Sequence, residues 1–307
     1  MNTGHNTSSR EPAVAGMFYP GRSDALGELV SSLFQEGPVR GLPGAEGDTE
    51  EAPGTRERDT GGSHDQGRVV GLIAPHAGYP YSGRTAAAAF GQLSAAAGDG
   101  RVIVMGPSHR EPFAGATIYP GRSYRTPLGE VPIDHELARQ LAERSDGLVR
   151  YDEAGHRQEH SVEVELPFLQ QRLGSFRFIP LVIGERALAR CKTLGELVAG
   201  LVAQGETPPL LVASSDLSHF YALSEAERLD RQVWEHVAAF DPEGLARALE
   251  KGKAQACGAC PIIATMYAAR SLGADRAAIL DYSTSADATG DRSSVVGYMA
   301  AAFLASS

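Results

Sequence analysis

The 307 residues carry 28 Lys and Arg against 38 Asp and Glu, a formal net charge of −10, with no basic stripe, so a nucleic acid or an anionic membrane surface is disfavoured as a partner. With 42% hydrophobic residues the chain is long enough for one large core or two modest ones. The stretch MNTGHNTSSREP lacks the basic start and apolar core of a signal peptide, no apolar run approaches about 18 residues, and Cys191, Cys257 and Cys260 cannot all pair; a cytoplasmic protein in a reducing compartment is expected.

Residues 1–10 are polar and read as a disordered tail, and Pro12 to Pro20 as an extended segment. The spacing of Leu26, Leu29, Val30 and Leu33 predicts a helix from Asp24 to Phe34, with Ser23 or Asp24 near its N-cap. Residues 38–67 are rich in Gly, Pro and charge, bury too little to offset their ordering entropy, and read as a disordered surface insertion. Val70 to Ala74 is a strand buried on both faces that runs into Pro75 and His76. An Ala-rich helix from Ser82 to Leu93 and the apolar strand VIVM before Gly106, Pro107, Ser108 and His109 complete a βαβ unit. Ala116 to Tyr119 reads as a short strand and Tyr124 to Glu130 as a loop, because Pro127 and Gly129 interrupt it. Asp134 caps a helix to Arg144, and Leu148 to Tyr151 is a further strand. Glu159 to Leu173 is helical in spacing, and Pro167 must kink that helix or mark its first turn.

Phe178 to Ile183 is an all-apolar strand, Leu188 to Val202 a helix, and Leu210 to Ala213 a strand that leads into Ser214, Ser215, Asp216 and His219. Ser224 and Glu227 have capping-box spacing for a helix to Phe240. Two more helices, Pro242 to Lys251 and Pro261 to Leu272, precede strands at Ala277 to Tyr282 and Val295 to Phe303. This alternation predicts one three-layer α/β/α domain over 11–307, built on a central, largely parallel mixed sheet.

Three buried strands thus end in histidine, where open α/β sheets bind their ligands. His76 and His109 directly follow their strands and are the first candidates for metal ligands. Cys257 is a candidate third donor, since a thiolate binds iron, copper or zinc. The competing reading of Cys257 with Cys260 is a dithiol redox pair, which lacks a thioredoxin-like context; Cys260 alone reads as a small buried hydrophobe. Asp216 and His219 lie three apart, so the carboxylate can orient the imidazole or accept a proton. A Ser/Asp/His hydrolase is disfavoured by the absence of a G-x-S-x-G elbow. His160 and Glu163, also three apart, are candidates for lining the same cleft, whereas His135, His156 and His236 are assigned no role.

The stretches PAVAGMFYP, IAPHAGYPYSG, GPSH, EHSVEVELPFL, SSDLSHF, CGACP, DYSTSAD and VVGYMAAAF together resemble the Memo family, in the same order and over nearly the whole chain. The resemblance implies an α/β domain similar to class III extradiol dioxygenases, with a metal held by His76, His109 and Cys257. It places His219 and Asp216 where the dioxygenase-like proteins keep a catalytic base. Cysteine in place of a metal-binding carboxylate puts ring cleavage in doubt and points to iron or copper, with zinc also admitted by ligand softness. The expected function is oxidoreductase-type chemistry on a small molecule. The alternative is a peptide- or protein-binding module in which Arg110 or Arg125 engages an anionic group. For prokaryotic relatives the resemblance also implies association with a radical S-adenosylmethionine protein.

Overall fold

Strands that are apolar on both faces must be covered on both faces, and the chain satisfies this with helices above and below one sheet. The structure is a computed structural model, and it describes residues 8–37, 42, 67–94, 100–185, 187–202 and 208–306. In chain order the elements are β1 Ser9–Arg10, α1 Ser23–Glu36, β2 Arg68–Ala74, α2 Tyr79–Phe90, β3 Arg101–Pro107, β4 Ala116–Ile118, β5 Ser123–Thr126, β6 Gly129–Pro132, α3 His135–Arg144 and β7 Val149–Tyr151. They continue with a 3₁₀ turn at Glu163–Glu165, α4 Leu166–Leu173, β8 Arg177–Ile183, α5 Leu188–Val202, β9 Leu210–Ser214, β10 His219–Tyr221 and α6 Leu223–Ala238. The remainder are α7 Pro242–Glu250, α8 Ala259–Ser271, β11 Arg276–Thr284, α9 Ser285–Thr289 and β12 Val295–Ala305.

The main sheet runs β10-β12-β2-β9-β3-β8-β4-β7, with β11 also paired to β12. Strands β2, β9, β3 and β8 are mutually parallel, and β12 joins β2 antiparallel. The period of two along each strand divides the core into two layers. Ile103, Met105, Leu211 and Ala213 face α3, α5, α6, α7 and α8. Val102, Val104, Leu210 and Val212 face α1, α2 and α4. The expected three-layer α/β/α arrangement with a mixed sheet is therefore the arrangement observed. Among the described residues no helix is long and apolar enough to cross a membrane.

The local expectations fail where a breaker or a cap has a tertiary purpose. Tyr124 to Glu130 is not a loop: Pro127 and Leu128 form the turn between β5 and β6, and the hairpin pairs with β1 in a second sheet. Ser9 and Arg10, expected in a free tail, are the strand β1, and Arg10 is buried. Residues 1–7, 38–41 and 43–66, which hold the rest of that tail and almost all of the expected insertion, lie outside the described residues; Leu42 is described, and it is buried in the core. Strands β2 and β3 are parallel but not adjacent, because β9 lies between them. Of the two alternatives for Pro167, the second is the one observed: it marks the first turn of α4. The capping box expected at Ser224 does not form, since α6 begins after Ala222 with no side-chain cap; Thr284 and Asp287 form one instead at α9.

Asp134 does cap α3, its Oδ1 accepting from the Leu137 N–H at 3.1 Å. Replacing it with alanine is expected to cost about 1 kcal/mol of stability, read as a lower urea midpoint at unchanged slope. A midpoint equal to that of the unaltered protein would show that the cap contributes nothing.

Candidate metal centre

Because β2, β9 and β3 are neighbouring parallel strands, their carboxyl ends line up on one edge. Ala74 pairs with Ser214 and Met105 with Ala213, so the segments that follow carry His76, Asp216 and His109 into one space. Cys257 arrives from the segment before α8. Its placement needs Gly258, where a Cβ would collide with the Ser214 carbonyl and the Ser215 side chain. Cys257 N–H donates to the Asp216 carbonyl oxygen at 3.1 Å, and Asp216 N–H donates to Cys257 Sγ at 3.2 Å. The second of these bonds favours the thiolate form of the sulfur.

The donor atoms of His76, His109 and Cys257 lie within 4.8 Å of one another, and His76 Nε2 is 3.1 Å from Cys257 Sγ. The His76 and His109 rings meet edge to face with centroids 5.1 Å apart. Each imidazole is held through its other nitrogen, the arrangement that metal-ligating histidines use to fix tautomer and orientation. His76 Nδ1 is 2.7 Å from Ser214 Oγ, and His109 Nδ1 is 2.9 Å from Glu159 Oε1. Glu159 also accepts from the backbone N–H groups of His109 at 2.5 Å, His160 at 2.9 Å and Ser161 at 3.0 Å. His76 is buried, while the His109 side chain is 29% exposed, so the cluster is buried at His76 and reaches solvent at His109. Two imidazoles and a thiolate that converge, with His109 partly exposed, fit a mononuclear transition-metal site.

Burial controls the titration of this cleft. It keeps the His76 imidazole neutral well below the usual range and lowers His160 to about 4. It pushes the Cys257 thiol up, a tendency that a bound cation reverses by taking the thiolate. It raises Asp216 to about 7, against the hydrogen bond from the His76 N–H at 2.8 Å. Burial also works to raise Glu159, but the hydrogen bond and charge of His109 prevail and hold it at about 2. Glu165, fully buried, is raised well above the carboxylate range.

His160 stacks on His109 with ring centroids 4.9 Å apart, and its ring centroid lies 4.8 Å from that of Phe18, which places it beside the candidate ligands. Glu163 does not: it is turned to the amino-terminal segment, where it pairs with Arg10 and accepts from the Tyr19 hydroxyl, from Ala13 N–H at 2.7 Å and from Val14 N–H at 3.1 Å. The residues from 160 to 163 are not α-helical, so a spacing of three does not put them on one face. Asp216 does not orient His219, whose Nδ1 is 2.9 Å from the Leu217 carbonyl oxygen and whose N–H donates to Gln255. His219 is held below its ordinary value by burial. Cys260 is neither a free hydrophobe nor a partner of Cys257. It is bonded to Cys191 across the packed helices α5 and α8, a pairing that 69 residues of separation conceal. Arg125, considered for an anionic partner, is engaged by Glu11 and Glu130.

The residues missed were those that hold the ligands: Glu159, Ser214 as the partner of His76, and Glu165. Glu159 and Glu165 flank His160 and Glu163 in EHSVEVE, and only their density of charge beside apolar residues hinted at burial. Buried carboxylates need partners.

A family model described as Memo-like protein matches residues 10–302. A MEMO1 family protein of Methanopyrus kandleri is 34% identical over 295 residues, covering 96% of this chain and 98% of that protein. A MEMO1 family protein of Methanothermobacter thermautotrophicus is 36% identical over 289 residues, covering 94% of this chain and 98% of its own. The residues matched by the family model, 10–302, include His76, His109 and Cys257.

Proposed function

The chain belongs to the Memo-like protein family, and from that premise we propose that it is a metal-binding protein that holds a redox-active ion, iron or copper, on His76, His109 and Cys257 and performs oxidoreductase-type chemistry on a small molecule. The observation that carries the reading is that both imidazoles are held by Nδ1, which leaves each Nε2 free to donate; His76 Nε2 is 3.1 Å from the Cys257 sulfur, and ligand atoms of all three residues lie within 4.8 Å of one another. Thiolate and imidazole together suit iron, copper and zinc. A bound ion of this kind supplies Lewis acidity and, for iron or copper, electron transfer.

The protein's own groups do the rest. His219 keeps a proton on Nδ1 through the Leu217 carbonyl, so its Nε2 is the base available to a substrate hydroxyl. Asp216, raised to about 7 by burial, accepts from the His76 N–H and so fixes the backbone of the first ligand. Phe18 packs on His160, which stacks on His109, and so keeps that imidazole in place.

Metal analysis of protein purified with and without His109→Ala tests the ligand assignment. The expected result is iron or copper in the unaltered protein and loss of most of it in the variant. Equal iron and copper content in both would overturn the assignment, and zinc alone would overturn the redox reading.

A further inference from the structure

Ser214 has one hydroxyl hydrogen and three close polar neighbours. Its Oγ lies 2.5 Å from the Ser161 carbonyl oxygen, 2.7 Å from Glu165 Oε1 and 2.7 Å from His76 Nδ1. A carbonyl can only accept, so the Ser214 hydrogen is directed to Ser161. The Oγ is then an acceptor toward its other two neighbours, and each must bring a hydrogen of its own. Were the hydrogen given to Glu165 instead, two oxygens would face each other at 2.5 Å with nothing between them. We infer that Glu165 is a positioning residue, a neutral carboxylic acid that donates to Ser214 Oγ, which in turn accepts from His76 Nδ1–H and leaves His76 Nε2 bare toward Cys257 Sγ.

The surroundings of Glu165 agree with this count. The residue is fully buried, and its Oε2 has no hydrogen-bond partner among the described residues, a position that would be costly for an ionised carboxylate and is tolerable for the carbonyl oxygen of an acid. The nearby Tyr79 hydroxyl is not available to it, since it donates to the Val164 carbonyl oxygen at 2.7 Å. Ser161 joins the two supports, because its N–H donates to Glu159, the carboxylate that holds His109, while its carbonyl takes the Ser214 proton. One short stretch thereby sets the tautomer of both imidazoles.

The consequence for metal affinity rests on the metal-binding reading above; the tautomer does not. Long-range proton–nitrogen NMR on metal-free protein labelled with ¹⁵N-histidine reports the tautomer directly. Nδ1–H is expected at His76 in the unaltered protein and in Glu165→Gln, whose amide supplies an equivalent donor, and a mixture is expected in Glu165→Leu. Titration with cobalt(II), followed by its thiolate absorption, should show near-native affinity in Glu165→Gln and a loss of about 10- to 100-fold in Glu165→Leu. An Nε2–H tautomer in the unaltered protein would overturn the inference even where the leucine variant fails to fold. Equal cobalt affinity in Glu165→Leu and the unaltered protein would overturn the positioning role. Failure of the unaltered protein to bind cobalt would overturn the metal reading and leave NMR to decide the tautomer.

Discussion

Glu159→Ala is expected to destabilise the protein by about 3–5 kcal/mol. The side chain is almost fully buried and is the acceptor for four hydrogens, from the His109 ring and from the backbone of His109, His160 and Ser161. Removing it leaves those donors facing a cavity. The His109 ring also loses the bond that fixes its orientation, so metal affinity should fall with stability. Urea unfolding measures the first effect, and a loss of under about 1 kcal/mol would show that water or a shifted neighbour replaces the carboxylate.

Acidification to pH 4 should cost about 3 kcal/mol through His156 alone. This histidine is fully buried, its Nδ1 lies 2.5 Å from the Tyr124 hydroxyl, and burial, with the Arg10 charge second, lowers it from 6.5 to about 3. Above pH 6.5 it is neutral in both folded and unfolded chains, and its contribution is fully present. As pH falls toward 3 the unfolded chain binds a proton that the folded one refuses, so stability declines. Asp216 and Asp230, raised to about 7 and about 6 by burial, act in the opposite sense over the upper part of this range, and comparison with a variant removes them. His156→Gln retains an acceptor for Tyr124 without the titration. Its stability should depend on pH less steeply than that of the unaltered protein between 6.5 and 3; identical slopes would assign the acid sensitivity elsewhere.

The parts of the fold that sequence made legible are those governed by local periodicity. Val102 to Met105 and Leu210 to Ala213, short apolar runs rich in Val, Ile and Leu, read as strands covered on both faces, and the histidines just beyond β2 and β3 followed from that. Cys257 needed its residue type and the family resemblance, since nothing in ACGACP says where the segment lies. What stayed hidden depends on contacts across long separations. Glu159 reaches His109 over 50 residues, Cys191 reaches Cys260 over 69, and Glu163 faces Arg10 over 153. Each looks like an ordinary surface or core residue until the sheet brings its partner close. The β5–β6 hairpin was hidden for another reason: Gly129 adopts φ 127°, so the residue that seemed to end the structure is the one that allows the turn.

Strand β12 gives the molecule an order of assembly. Its residues 295–305 occupy an interior lane of the sheet, with β2 on one side and β10 and β11 on the other. A ribosome making this chain releases β2, β9 and β3, with His76 and His109 at their tips, long before β12 exists. Until then the free edge of β2 is an unsatisfied row of backbone donors and acceptors. The nascent protein must therefore shield that edge or wait, because the strand that closes the sheet emerges after all the strands it joins.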